Sequence, residues 1–373
     1  MRITIVQGAF LPIPPLMGGA VEKVWFGLGK EFARRGHQVT HISRRYQDLP
    51  AAEVIQGVHH RRVPGFAAPK SLALLKGLDL LYSLMALRVL PEADILVTNT
   101  FWLPVLVQSP RPGQVYVNVQ RYPKGQMKLY RRAARLQTVS SFVAQAIVTQ
   151  EPLAHPRVRV IPNPLPENVN PTEILGPFSD REPWLLYVGR IHPEKGLALL
   201  LGAFQQLLDS GVRGWRLVMV GPWETEYGGG GEDYYQALKQ QFCRIEKQVD
   251  WVGGIFDQGK LASYYQRARL FVYPSLAAKG ETFGLAPLEA MACGCPTLVS
   301  NLDCFKDFLK DGVTGFVFPS SQEAALGQKL QELLQDPQRL ARVGKQGYEL
   351  AQHYTLERVA EQYLADFADL LAP

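Results

Sequence analysis

Two glutamates, Glu281 and Glu289, stand eight residues apart in the segment 274–300, and two cations, Arg190 and Lys195, follow an apolar run at 184–188. Paired carboxylates could act as acid and base on a glycosidic bond. Two cations at a helix start could instead hold a diphosphate, because first-turn amides and the helix dipole favour anions. A carboxylate in the same crevice could then accept both hydroxyls of a ribose. The cations favour the second chemistry. They supply charge for a phosphate leaving group, so the glutamates become holders of ribose and sugar. Glu289 is flanked by Leu288, Ala290, Met291 and Ala292. A carboxylate in so apolar a helix needs a partner. The plainer alternatives are exposed loop cations at 190 and 195 and a surface glutamate at 289.

Such side chains need strands that end in one crevice. Residues 270–273 and 296–299 are short apolar runs bounded by Pro and Gly, the pattern of buried parallel strands. Between them, 284–293 has helical spacing and stops at Gly294. Glu281 therefore belongs to a loop at a strand's carboxyl end, and Glu289 to the following helix. Further strands are expected at 184–188, 215–220 and 249–252, with a helix at 197–208. Repeated strand, loop and helix predict a doubly wound parallel sheet. The first half repeats the pattern, with strands at 1–6, 38–42, 93–98, 114–119 and 157–161. Gly18-Gly19 stands where the first loop meets its helix. It is either a tight turn or a close backbone approach to a phosphate. Thr138-Val139-Ser140-Ser141 is placed to cap a helix at 142–148. Pro162, Pro164, Pro166, Pro171 and Pro177 mark a linker. The expected domains are 1–170 and 171–354, and a last helix within 355–373 is expected to pack back on the first domain.

The chain has 373 residues, 47% hydrophobic and 20% charged, enough for two globular cores. Its net charge of +6 is uneven: residues 1–161 carry +13 and the remainder −7. Arg121, Lys124, Lys128, Arg131, Arg132 and Arg135 fall within fifteen residues, interleaved with Tyr122 and Tyr130. On a helix starting near Gly125, Lys128, Arg131, Arg132 and Arg135 would share one face. That face is either simply solvated or meets anionic lipid or a phosphate-bearing acceptor. No nucleic-acid motif accompanies it. Segment 72–90 is interrupted by Lys76, Asp79 and Arg88 and predicts an amphipathic helix rather than a membrane span. The first residues already read as a strand, so a cytoplasmic protein without a signal peptide is expected, with peripheral membrane contact in view. Cys243, Cys293, Cys295 and Cys304 have neither metal nor redox spacing and predict reduced structural thiols. Gly228-Gly229-Gly230-Gly231 lacks the phosphate-loop frame and predicts a flexible surface loop.

Gly189-Arg190, then Glu194-Lys195-Gly196, then E-T-F-G-L-A-P-L-E-A-M-A-C-G-C-P from Glu281 together resemble glycosyltransferase family 4. Weaker matches are Gly18-Gly19, Arg34-Arg35-Gly36-His37, Thr138-Val139-Ser140 and Val160-Ile161-Pro162-Asn163. The resemblance implies a GT-B fold, two tandem Rossmann-like doubly wound domains facing a central cleft, and retaining transfer of a hexose from a nucleoside-diphosphate sugar, UDP by default. The basic first half points to a glycan or lipid-linked acceptor. Arg190 and Lys195 would neutralise the leaving diphosphate, Glu289 would hold the ribose, and Glu281 would touch the transferred sugar. The amides of Phe283, Gly284 and Leu285 would address phosphate and sugar, and Gly18 or Gly19 would close over the diphosphate. Backbone near Gly254 and Ile255 would read the base. No metal or cofactor is implied, and there is no Asp-x-Asp signature. Many family members carry a histidine where this chain has Gln120, so Gln120 is the expected sugar contact. The basic residues Lys124, Lys128, Arg131, Arg132 and Arg135 would lie on the acceptor side. The competing functions are a sugar-nucleotide epimerase of the same fold and a non-catalytic nucleotide-binding module. A dinucleotide oxidoreductase is disfavoured, because no G-x-G-x-x-G follows either first strand.

Overall fold

The computed structural model describes residues 1–167, 169 and 176–372. The chain forms two compact units, one of Met1–Pro166 with the segment from Leu356 onward, the other of Glu167–Thr355. The expected break at 170 and 171, and Pro171 itself, lie outside the described residues.

The first unit is built on strands β1 (Arg2–Val6), β2 (Gln38–Arg44), β3 (Ala52–Ile55), β4 (Val58–Val63), β5 (Ile95–Thr98), β6 (Gln114–Val119), β7 (Arg135–Thr138) and β8 (Val158–Val160). They lie in the order β3-β4-β2-β1-β5-β6-β7-β8. Every pairing is parallel except β3 with β4. Helices α1 (Ala20–Arg34), α2 (Leu72–Arg88), α3 (Leu103–Leu106) and α4 (Ser141–Gln150) connect them. The Ser140 side chain accepts from the Val143 amide and fixes the start of α4.

The second unit holds β9 (Glu182–Val188), β10 (Arg216–Val220), β11 (Val249–Gly253), β12 (Ala268–Tyr273), β13 (Thr297–Ser300) and β14 (Phe316–Phe318). Their order is β11-β10-β9-β12-β13-β14, all parallel. Its helices are α5 (Leu197–Asp209), α6 (Glu232–Gln241), α7 (Gln258–Arg267), α8 (Leu285–Ala292), α9 (Glu323–Leu334) and α10 (Pro337–Ala351). Leu185, Leu186 and Tyr187 of β9 and Leu270, Phe271 and Val272 of β12 are fully buried. Apolar runs without alternation are what strands covered on both faces require. The last helix, α11 (Leu356–Leu371), belongs to the first unit. Val359, Ala360, Tyr363 and Phe367 enter the core beside Trp25, Phe32 and Tyr116.

Two elements differ from expectation. No helix runs from Gly125 to Arg135. Gln126–Tyr130 is a short 3-10 turn, and Arg135 opens strand β7. The segment is claimed by the sheet, because Leu136, Gln137 and Thr138 are needed between β6 and β8. Arg135 is consequently buried, its guanidinium paired with Asp366 at 3.0 Å and with Asp369, both on α11. It is not part of any acceptor-side face. Helix α2 forms, yet Leu72, Leu74, Leu81 and Leu84 are exposed while Asp79, Tyr82, Ser83 and Ala86 are buried. Asp79 turns inward because its carboxylate accepts from the Phe101 and Trp102 amides at 3.0 and 3.1 Å. Among the described residues no helix is long and apolar enough to cross a membrane. The four cysteines are free, and burial pushes the thiols of Cys293 and Cys295 up to about 12.

Candidate functional site

The site residues of the second unit gather where β9 and β12 end. Gly189 leaves β9 so close to the Tyr187 hydroxyl that a Cβ there would come within 2.6 Å of it. Arg190 follows, its side chain 44% exposed. Its Nη2 donates to Glu194 Oε1 at 2.9 Å and its Nη1 to the Gly228 carbonyl at 2.8 Å. The tetraglycine segment is thus a packed loop rather than a free one. Its Gly229, Gly230 and Gly231 amides donate to the carbonyls of Glu224, Ile191 and Trp223. The loop is fastened to the chain beside Arg190 and presents a carbonyl to that cation.

Lys195 ends the 3-10 turn Pro193–Lys195. Gly196 then takes φ +70°, and a Cβ there would lie 2.1 Å from the Pro274 carbonyl oxygen. Glycine is what lets the start of α5 approach the loop after β12. Lys195 Nζ consequently reaches Glu281 Oε2 at 2.7 Å, with both side chains largely shielded. The same Oε2 accepts from the Tyr273 hydroxyl at 3.0 Å and the Ser275 hydroxyl at 3.3 Å. The Leu276 amide donates to the Glu194 carbonyl and ties the two loops together.

Helix α8 begins just beyond Glu281. Gly284 precedes it at φ +93°, where a Cβ would meet the Phe305 ring at 2.5 Å. The Phe283 ring is buried against Phe308 and Tyr354, which leaves its backbone as the part that can meet a ligand. The first amides of α8, beginning with Leu285, have no preceding helical carbonyl to bond. Glu289 is buried within α8, and its Oε2 accepts from the Tyr265 hydroxyl at 3.0 Å. This is the partner that its apolar flanks demanded. Gly254 and Ile255 follow β11, where Phe256 packs its exposed ring 5.2 Å from that of Tyr227. Tyr265, Tyr273 and Ser275 were missed by sequence reasoning. The available signal was that Tyr273 is the last residue of a strand whose end carries the site.

The remaining sequence-predicted residues lie in the first unit. Gly18 and Gly19 take φ +77° and +93° at the start of α1. A Cβ on Gly19 would lie 2.2 Å from Glu22 Oε2. Burial raises the Glu22 carboxyl, with Arg121 opposing the shift. Gln120 belongs to an amide ladder, donating to Asn118 at 3.2 Å and Asn163 at 3.0 Å and accepting from Asn163. Lys124, Lys128 and Arg132 are exposed, while Arg131 pairs with Glu151 at 2.9 Å.

Residues 17–168 match the family described as Glycosyltransferase Family 4, and residues 176–350 match Glycosyl transferases group 1. The chain carries both halves of a family 4-like glycosyltransferase. A phosphatidyl-myo-inositol mannosyltransferase of Mycobacterium leprae is 30% identical over 48% of this chain and 45% of its own length. A lipopolysaccharide 1,2-N-acetylglucosaminetransferase of Salmonella typhimurium is 31% identical over 48% of this chain and 46% of its own. In these matches the chain spans less than half of the curated relative. Sucrose-phosphate synthase from Thermosynechococcus elongatus superposes with a TM-score of 0.80 at 21% identity, covering 100% of this chain and 99% of that one. HepE from Anabaena, solved with UDP, gives 0.72 at 18% identity over 99% and 100%. The chain's fold is GT-B.

Proposed function

We propose that the chain is a retaining glycosyltransferase that moves a hexose from a nucleoside-diphosphate sugar, UDP by default, to a hydroxyl of a glycan or lipid-linked acceptor in cell-envelope or polysaccharide biosynthesis. The observation that carries this reading is the gathering of Arg190, Lys195 and Glu281, with the start of α8 and Glu289 close behind, at the ends of β9 and β12. Relatives named for transfer to phosphatidyl-inositol and lipopolysaccharide support the acceptor class.

Arg190 and Lys195 bind the diphosphate and neutralise it as it leaves. Lys195 spends one N–H on Glu281 and keeps two for phosphate oxygens. The α8 amides complete the anion site, and these fixed charges do the work a metal would otherwise do. Glu289 holds the ribose, Glu281 the sugar hydroxyls, and backbone at Gly254 and Ile255 the base. The acceptor oxygen bonds to the anomeric carbon on the face the diphosphate leaves. The anomeric C–O bond breaks, and the acceptor proton passes to the departing β-phosphate oxygen. No covalent enzyme intermediate forms. Gln120 is proposed as a contact to the sugar. Full transfer with an unchanged donor KM in Gln120→Ala would remove it from the site.

Lys124, Lys128 and Arg132, with exposed Leu129 and the outward leucines of α2, are proposed to meet an anionic membrane on its cytoplasmic face. The Trp102 indole donates to the Lys76 carbonyl, and Phe101 packs on Tyr130, which links α2 to the turn at 126–130. The deciding experiment is thermal stabilisation by UDP, GDP, ADP and NAD, then mass spectrometry of donor turnover with and without lipid extract. Stabilisation by a nucleoside diphosphate and acceptor-dependent consumption of donor are expected. Stabilisation by NAD alone defeats the reading. An epimerised donor marks an epimerase, and binding without consumption marks a sensing module.

A further inference from the structure

Three buried tyrosines each give their hydroxyl to a different part of the donor-binding set. Tyr187 of β9 donates to the Arg190 carbonyl at 2.9 Å. Tyr273 of β12 donates to Glu281 Oε2 at 3.0 Å, and Tyr265 of α7 to Glu289 Oε2 at 3.0 Å. Their rings form a continuous rib: Tyr187 stacks on Tyr273 at 6.0 Å, Tyr273 on Phe271 at 6.1 Å, and Tyr265 meets Phe271 edge-on at 5.6 Å. The hydroxyls are therefore held by packing on the sheet and not by the loop and helix that carry the glutamates. Burial keeps all three phenols well above their usual range, so each remains a donor.

We propose that Tyr265 and Tyr273 are positioning residues that assign the two carboxylates to separate tasks, Tyr265 setting Glu289 for nucleotide binding and Tyr273 setting Glu281 for transfer. This rests on the donor-site reading above. Glu281 shows how the device works. Lys195, Tyr273 and Ser275 all fall on Oε2, which saturates that oxygen and makes Oε1 the one proposed to accept from the sugar. A carboxylate held this way loses no rotamer freedom when the sugar arrives. Glu289, flanked by apolar residues in α8, is fixed from the neighbouring helix α7 by Tyr265.

The test compares Tyr265→Phe and Tyr273→Phe with the natural protein. Binding of UDP, GDP and ADP is measured by calorimetry, and turnover of UDP-glucose, GDP-mannose and ADP-glucose by mass spectrometry. Tyr265→Phe is expected to weaken the Kd of whichever diphosphate binds by about tenfold while turnover at saturating donor stays within about twofold. Tyr273→Phe is expected to leave that Kd within about twofold and to lower turnover about tenfold. Because Tyr265 acts through Glu289, adding Tyr265→Phe to Glu289→Gln should cost nothing further. Equal loss of affinity in both tyrosine variants, or wild-type behaviour in both, overturns the proposal while leaving the donor site standing. A natural protein that binds none of the three diphosphates overturns the donor site and the tyrosine roles together. If either phenylalanine variant fails to fold, two other substitutions carry the test. Ser275→Ala must slow turnover without loss of Kd, and Glu289→Gln must weaken Kd; the opposite result in either overturns its half.

Discussion

Lys195 and Glu281 retain only 8% and 12% of their side-chain exposure, so removing either strands the other charge. Lys195→Met should therefore cost about 3 kcal/mol of stability, and Lys195→Met with Glu281→Leu should recover most of it, as read by denaturant unfolding. Turnover should fall at least about 100-fold in both, since the phosphate loses its cation. Gly229→Ala tests the loop that holds Arg190. The new Cβ would meet the Trp223 backbone at 2.3 Å, so the loop must shift and the Gly228 carbonyl must leave the guanidinium. A donor KM raised about tenfold with little change in melting temperature is expected, on the usual cost of a displaced charged hydrogen bond. Arg190, Lys195 and Glu281 were legible as candidates in the sequence, because charge just beyond an apolar strand needs a reason, and Glu289 because a carboxylate in an apolar helix needs a partner. Tyr265 and Tyr273 were not. Tyr273 ends an apolar run and reads as core, Tyr265 stands in the mixed segment 258–267, and only the fold reveals that each hydroxyl has a carboxylate partner, 8 and 24 residues away respectively.

The alternation of apolar runs with helical segments was readable for both sheets, whereas the cap that Asp336 gives α10 ahead of Pro337 is seen only in the structure. The basic segment 124–135 was not. Cations three and four residues apart suit a helix face, but a 3-10 turn followed by a strand carries the same spacing. Only the pairing of β7 between β6 and β8 decides between them. Arg135 thereby becomes the anchor of α11. Its guanidinium and Asp366 are each about nine-tenths shielded, and Asp366 also accepts from the Tyr116 hydroxyl at 2.8 Å. Arg135→Leu should destabilise the first unit by about 3 kcal/mol, measurable as a lowered first transition in differential scanning calorimetry. Below α1 lies a second liability. His41 and His60 stack at 5.4 Å with ring nitrogens that meet no hydrogen-bond partner among the described residues. Burial, with Arg62 nearby, holds His60 down to about 4 and His41 well below its usual range, while Glu53 opposes the shift on His60. The unfolded chain thus binds protons that the folded one refuses. This contribution to stability is complete above about 6.5 and is lost as pH falls toward 4. His60→Phe should flatten the acid limb of stability against pH, followed by urea unfolding at each pH.

The uneven charge of the chain gives the two units opposite electrostatic characters: the first carries 22 Lys+Arg against 12 Asp+Glu, +10, and the second 18 against 22, −4. If the first unit seats on anionic lipid, each exposed cation near the surface contributes about 1 kcal/mol, and the attraction fades over a Debye length of about 8 Å at physiological salt. Replacing Lys124, Lys128 and Arg132 together by glutamate should lower partitioning onto phosphatidylglycerol vesicles at least about tenfold, read by co-sedimentation. UDP binding to the second unit should be unchanged. The placement of α11 bears on how the molecule is made. The second unit is one uninterrupted run, Glu167–Thr355, whereas the first waits for a helix encoded after it. A ribosome adding about 5–20 residues per second takes roughly 10–40 s to deliver the residues from 167 to the end of α11. During that interval Trp25, Phe32 and Tyr116 lack the Tyr363 and Phe367 rings that cover them. The aromatic core of the first unit is therefore completed only after the whole of the second unit has been synthesised, although its sheet is encoded first.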